Sequence, residues 1–324
     1  MPPPRKNIGE RVRDLRERHG LAPDDLARRL AGDHADDAVV ARHREDVLAL
    51  ENTGRLPSVK ILLQIARVFG KRLGHLTDDL SDDGIVVGRA AELTGARRVP
   101  GSNLGSNSEE MAWYFLAGAK AGRHMEPALI DLQPRRDPPR LEGHEAEEFI
   151  YVVSGRLEIV HGVSRYELFP GDSIAYGAHI PHHVHAAGDG PARIVAVFFG
   201  HMKTDPSVVR AEPRRRVNPA HGGVDGADAA VGGISYYSAA VYRPESVQAH
   251  VAEIGPDEIP RRENRHEGEE FTYVLSGRLE LYYGKSKYEL SAGDSAYYDS
   301  AVRHRRVRVG SEVARALSIV YNPA

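Results

Sequence analysis

The stretch that decides the fold reads His144-Glu145-Ala146-Glu147-Glu148-Phe149-Ile150-Tyr151-Val152-Val153-Ser154-Gly155-Arg156-Leu157-Glu158. It returns as His266-Glu267-Gly268-Glu269-Glu270-Phe271-Thr272-Tyr273-Val274-Leu275-Ser276-Gly277-Arg278-Leu279-Glu280, an offset of 122 (266 minus 144). The same offset carries Tyr166-Glu167-Leu168 onto Tyr288-Glu289-Leu290, Gly171-Asp172-Ser173 onto Gly293-Asp294-Ser295, and His182 onto His304. A repeat kept in step without a gap means that one structural unit was duplicated. Within each copy, alternating apolar residues broken by Gly, Pro and Asp predict short strands joined by turns.

Strand side chains alternate between faces, so His144 and Glu148, four apart, point to the same side, as do His266 and Glu270. The turns at Gly155 and Gly171-Asp172 fold the chain back, which lets His182 meet the first pair and His304 the second. Two imidazoles and one carboxylate leave coordination positions open, the arrangement of non-haem Fe(II) oxygenases. The expected metal is Fe(II), with Mn, Ni and Zn accepting the same donors. The chain has no cysteine, which excludes disulfides, thiolate-held zinc, iron–sulfur clusters and a cysteine nucleophile.

Working outward, 324 residues exceed what one core usually fills. Apolar residues at i, i+3, i+4 spacing predict helices in IGERVRDLRERHG, DDLARRL, EDVLALE and VKILLQIARVFG. Residues 1–80 are therefore read as a small all-α bundle, 81–110 as a linker or arm, 111–202 as the first β domain, 203–232 as a second linker and 233–324 as the second β domain. The 43 basic and 46 acidic residues leave a net charge of -3, too little for a global attraction to nucleic acid or anionic lipid. No apolar run has the length of a membrane span and no signal sequence opens the chain, so the expected location is the cytoplasm.

HEAEEFIYVVSGRLE with PGDSIAYGAHIPH, and HEGEEFTYVLSGRLE with AGDSAYYDSAVRH, resemble the two signature motifs of the cupins. The resemblance implies an α+β chain: an N-terminal all-α, Xre-like helix-turn-helix bundle followed by two β-barrel cupin (double-stranded β-helix) domains. Over residues 8–200 the order of parts resembles the iron-dependent hydroxypropylphosphonate epoxidase family of fosfomycin biosynthesis. That family's iron ligands carry over onto His144, Glu148 and His182, with His266, Glu270 and His304 as a second or substitute site. The sequence departs from the cupin pattern at Glu142 and Asn264, where a further histidine is usual. It departs from the epoxidase pattern at Gly20, Leu141 and Trp113-Tyr114. The implied chemistry is an epoxidase- or dioxygenase-like oxidation of a small anionic phosphonate or carboxylate by O2, in a homo-oligomeric enzyme. Tyr114 and Tyr176 are the candidate catalytic tyrosines.

Arginines crowd the second copy. Arg303, Arg305 and Arg306 flank His304, and Arg261, Arg262 and Arg265 precede His266, so a guanidinium is expected to clamp an acid beside the metal. Arg265, Arg303, Arg305 and Tyr298 are the substrate-binding candidates. Of the further histidines, His183 is expected to face away from His182, and His179 to sit at an entrance.

The rival reading is an Xre-cupin transcriptional regulator that binds DNA and a small effector. Against it, residues 33–51 carry Asp33, Asp36, Asp37, Glu45, Asp46 and Glu51 against Arg42 and Arg44, an acidic element where phosphate contacts would be needed. AGDHADDAVVARHR reads as an insertion before the third helix, leaving Arg11, Arg13, Arg16 and Arg18 of the first helix to touch a DNA backbone.

Overall fold

The computed structural model describes residues 7–32, 35–69, 71, 73, 76, 84–95, 97–99, 111–120, 122–134, 141–200, 206–212, 230–231, 234–239, 247–255 and 263–322. Among the described residues the first elements are the helices α1 Ile8–Arg18, α2 Pro23–Ala31, α3 Asp37–Thr53 and α4 Val59–Val68. Asn7 and Glu10 close a capping box on α1, and the Asp36 carboxylate accepts from the Val39 amide at 2.8 Å to start α3. Since nothing between Asp37 and Thr53 breaks a helix, the Asp37–Arg44 part of the expected insertion is the first half of α3. Val12, Leu26, Val47, Leu50, Leu62 and Ile65 form the core of the bundle. Buried Arg16 makes two 2.7 Å bonds to the Glu51 carboxylate, which Arg13 also contacts. Of the four α1 arginines, Arg16 is thereby turned inward and Arg13, still partly exposed, is tied to the same carboxylate.

The first β unit contains β2 Arg97–Val99, β3 Met111–Phe115, β4 Glu126–Leu132, β5 Glu147–Ser154, β6 Leu157–His161, β7 Ser164–Leu168, β8 Ser173–Gly177, β9 His182–Ala186 and β10 Ala192–Phe199. The second contains β12 Ala230–Val231, β13 Ile234–Ser238, β14 Val247–Ile254, β15 Glu269–Ser276, β16 Arg278–Tyr283, β17 Ser286–Ser291, β18 Ser295–Asp299, β19 His304–Arg308 and β20 Ala314–Tyr321. Each unit sets a seven-stranded sheet against a three-stranded one. Registers repeat with the sequence offset: Glu148 stands opposite Tyr176 and Glu270 opposite Tyr298, His161 opposite His182 and Tyr283 opposite His304.

The strands of the two large sheets are apolar on both faces because each face meets a different partner. Along β5, Ile150 and Val152 pack inward with Leu157, Ile159 and Leu168 of the small sheet. Phe149 and Tyr151 pack outward with Phe271, Tyr273, Leu317 and Ile319 of the other unit. The bundle docks on the first unit, where Val59 and Leu63 of α4 join a cluster with Trp113 and Phe115.

Four strands, β2 and β12 among them, arise within stretches whose composition suggests connectors, and the other two cross between or close the units. β1, Ile85–Gly88, precedes the first unit yet pairs with β18 of the second; β11, Ser207–Val209, follows the first unit and pairs with its β8. Each arm ends in an Arg-Ala pair that caps the aspartate of a Gly-Asp turn: Arg89 and the Ala90 amide on Asp294, Arg210 and the Ala211 amide on Asp172. Gly171 and Gly293 sit at φ +93° and +88°, and a Cβ on either would come within 2.8 or 2.9 Å of the facing alanine methyl. Only glycine fits there.

Candidate metal centre

In the first unit three side chains converge from three elements. Glu148 lies in β5, His182 opens β9, and His144 sits just ahead of β5. His144 and His266 therefore do not share a strand with their glutamates, as alternation predicted. Each lies in the irregular segment before its strand, where its backbone N–H donates a hydrogen bond to a carbonyl, His144 to Ala178 and His266 to Ser300. Their side chains still reach: His144 Nε2 is 2.7 Å, and His182 Nε2 3.4 Å, from the same oxygen, Glu148 Oε1. The three donor atoms lie within 4.8 Å of one another.

The protonation pattern suits a metal ion. His182 Nδ1 is 2.9 Å from the Ile180 carbonyl and must carry hydrogen there, so in a neutral ring the Nε2 lone pair faces a carboxylate lone pair. A shared cation removes that conflict. Burial disfavours a charged Glu148, but His182 and His144 outweigh it and hold the carboxyl well below its usual range. Burial likewise disfavours a charged His182, yet the Glu148 charge and hydrogen bond raise its pKa overall. Tyr176, fully buried, donates to the other carboxylate oxygen at 2.5 Å. Burial and the Glu148 charge push its hydroxyl far up, so it stays a donor.

The second triad is composed differently. Glu270 Oε2 is 3.3 Å from His304 Nε2 and 3.9 Å from His266 Nε2. Its other oxygen is 2.8 Å from the guanidinium of Arg306, which is 3% exposed.

The remaining candidates scatter. Tyr114 is half-buried with its hydroxyl 3.4 Å from Asp131, and packs against the cluster between the units. Tyr298 is fully buried beside Glu270 and His304. Arg265 is exposed, Arg303 is 3.7 Å from Glu263, and Arg305 lies over the Tyr282 ring at 4.4 Å. Arg261 and Arg262 lie outside the described residues. The guanidinium on the second glutamate is instead that of Arg306. His179 is exposed in a turn, and His183 and His185 pair with each other on the face opposite His182.

A cavity of about 640 Å³ opens between α4 and the first unit, with His144 and Phe198 in its wall. Its lining includes four cations and two carboxylates; Arg67 pairs with Glu145 and Arg123 with Glu126, which leaves Lys60 and Lys71 as the surplus positive charge of the wall. The α4 cations escaped the sequence reading because the helical pattern marks them only as a polar face. Their role needs the docking of α4 onto Trp113 and Phe115.

A Cupin domain model matches residues 128–198 and 250–320, the two units in turn. Among solved structures, the iron- and substrate-bound 2-hydroxyethylphosphonate enzyme HEPD of Streptomyces albus is 14% identical, with a TM-score of 0.58 over 98% of this chain and 92% of its own. PhpD with cadmium is 15% identical, with a TM-score of 0.57 over 97% and 93%. A glyoxylate-induced protein of Pseudomonas aeruginosa is 15% identical, with a TM-score of 0.59 over 76% and 92%. At these identities the likeness is one of fold. No curated protein matches the sequence.

Proposed function

We propose that the chain is a mononuclear non-haem Fe(II)-dependent oxygenase whose chemistry takes place in the first β unit, on a small phosphonate or carboxylate. The observation that carries this reading is the convergence of two imidazoles and one carboxylate beside a cavity whose walls are cationic. Bound iron would supply Lewis acidity and the one-electron chemistry that O2 requires. His144, Glu148 and His182 would hold it, and Tyr176 fixes the Glu148 carboxylate through the oxygen turned away from the histidines. Lys60 and Lys71 draw an anion toward the triad, while Arg67 is paired with Glu145, and Phe198 and Leu63 keep part of the wall dry. In this reading α4 is the roof of the substrate cavity. HEPD, named for a phosphonate and iron in its own structure, shares the fold and lends the substrate class its direction.

Anaerobic Fe(II) titration, followed by exposure to O2 with a panel of small phosphonates and carboxylates, tests it. Iron should bind in the first unit, and one class of acid should be consumed with O2. Loss of neither iron binding nor turnover in His144→Ala would end the proposal.

A further inference from the structure

The two triads share residue types, yet their surroundings diverge at matched positions. Arg306 stands where the first copy has Val184, Thr272 where it has Ile150, Ser318 where it has Ala196 and His250 where it has Ala128, all at the same offset of 122 (306 minus 184). These replacements meet at one point. The Arg306 guanidinium lies 2.8 Å from Glu270, 3.3 Å from the Thr272 hydroxyl and in hydrogen-bond contact with Ser318. Tyr236 is within its reach as well. Thr272 and Ser318 face each other across β15 and β20, so the two hydroxyls form a seat where the first copy is aliphatic. A buried guanidinium persists only where its charge and its N–H groups are met; here Glu270, the counterpart of Glu148, meets the charge, and two hydroxyls that the first copy lacks, those of Thr272 and Ser318, take its N–H groups.

We propose that Arg306 is a built-in cation that takes the place of the metal at the second triad, so that the chain binds a single divalent ion, in the first unit. A metal on Glu270 would sit about 2 Å from the carboxylate that Arg306 already neutralises, with two like-charged centres side by side in a buried site. The second unit is then a frame whose former metal site has become an internal ion pair. The location of the single ion rests on the function proposed above; the exclusion from the second triad does not.

Equilibrium dialysis with Co(II), with the metal content measured per chain, tests this on the full-length protein. One equivalent is expected in the wild type and in His266→Ala, and none in His144→Ala. Arg306→Val should gain a second equivalent that disappears again in the double variant Arg306→Val/His266→Ala. Because Arg306→Val leaves Thr272 and Ser318 without their partner, the triple variant Arg306→Val/Thr272→Ile/Ser318→Ala, which restores the first copy's set, is measured in parallel with a thermal melt. Loss of bound Co(II) in His266→Ala, or no gain in a folded triple variant, overturns the proposal. A wild type that binds nothing while the triple variant gains an ion lost with His266 would support the role of Arg306 and sink the oxygenase reading alone.

Discussion

Arg210 lies 2.6 Å from Asp172 across a boundary of the repeat: Asp172 closes a turn inside the first copy, and Arg210 lies in the segment that leads to the second. The Asp172 carboxylate also accepts from the amides of Ala211 at 2.7 Å and Phe169 at 3.1 Å. It is 4% exposed while Arg210 is half-exposed. Asp172→Ala, which strands two amides, should cost about 2–4 kcal/mol. Arg210→Ala should cost about 1 kcal/mol or less, since water screens its charge. Urea unfolding of both variants checks the order; equal losses would mean that the arm is held by its strand pairing alone.

The hydroxyl of Tyr176 is aimed at Glu148, whereas that of Tyr114 is aimed at Asp131. Tyr176→Phe should weaken divalent-metal affinity on the order of 10–100-fold without unfolding the unit. Tyr114→Phe should leave the affinity where it was. Titration with Co(II) reads both, and a matched loss in the two variants would remove the distinction.

Lys60 and Lys71 reach the cavity from the helical bundle. The double variant Lys60→Gln/Lys71→Gln should raise the KM for an anionic substrate on the order of 10-fold, with metal affinity unchanged, and the gap should narrow as salt is added. A fall in kcat at constant KM would place these lysines elsewhere in the cycle.

Burial, followed by the Arg306 charge, pushes the pKa of His250 down to about 4, against the opposing pull of Glu270. An unfolded histidine titrates near ~6.5. Between these values the unfolded chain binds more protons, so the contribution of His250 is intact above pH ~6.5 and is lost as the pH falls toward 4, by about 3 kcal/mol. His250→Ala, the first copy's residue, should therefore flatten the acid limb of stability against pH, since the neighbouring Tyr236, His266 and Glu270 are unchanged. Parallel acid limbs in urea unfolding would show that His250 does not titrate as buried.

The duplicated strands and both triads were legible because a repeat exposes itself and because His, Glu and His recur at fixed distances. The positions of His144 and His266 were misread at the level of local geometry, since alternation says nothing about where a strand begins. Arg306 was visible only as one of several arginines. Its distinction is that it lies two residues from His304 on the inward face, and that Thr272 and Ser318 stand ready on two other strands, a relation no single segment carries. The arms were harder still: Val87-Gly88-Arg89-Ala90 and Val208-Val209-Arg210-Ala211 share a short signature, shifted by one residue from the main offset and too brief to stand out from the composition around it.

The crossing of those arms has a consequence for the history of the chain. β1 finishes the sheet of the second unit, and β11, from the segment leading to the second unit, finishes that of the first. A cut between the units anywhere before residue 207 strips the first of its outer strand and leaves β8 bare, an invitation to self-association. The second half, released from residues 85–88, loses its own outer strand in the same way. Neither copy can be shed once the clasp is closed, which allows one to stop binding metal and still be kept, as the lining against which its twin stays folded.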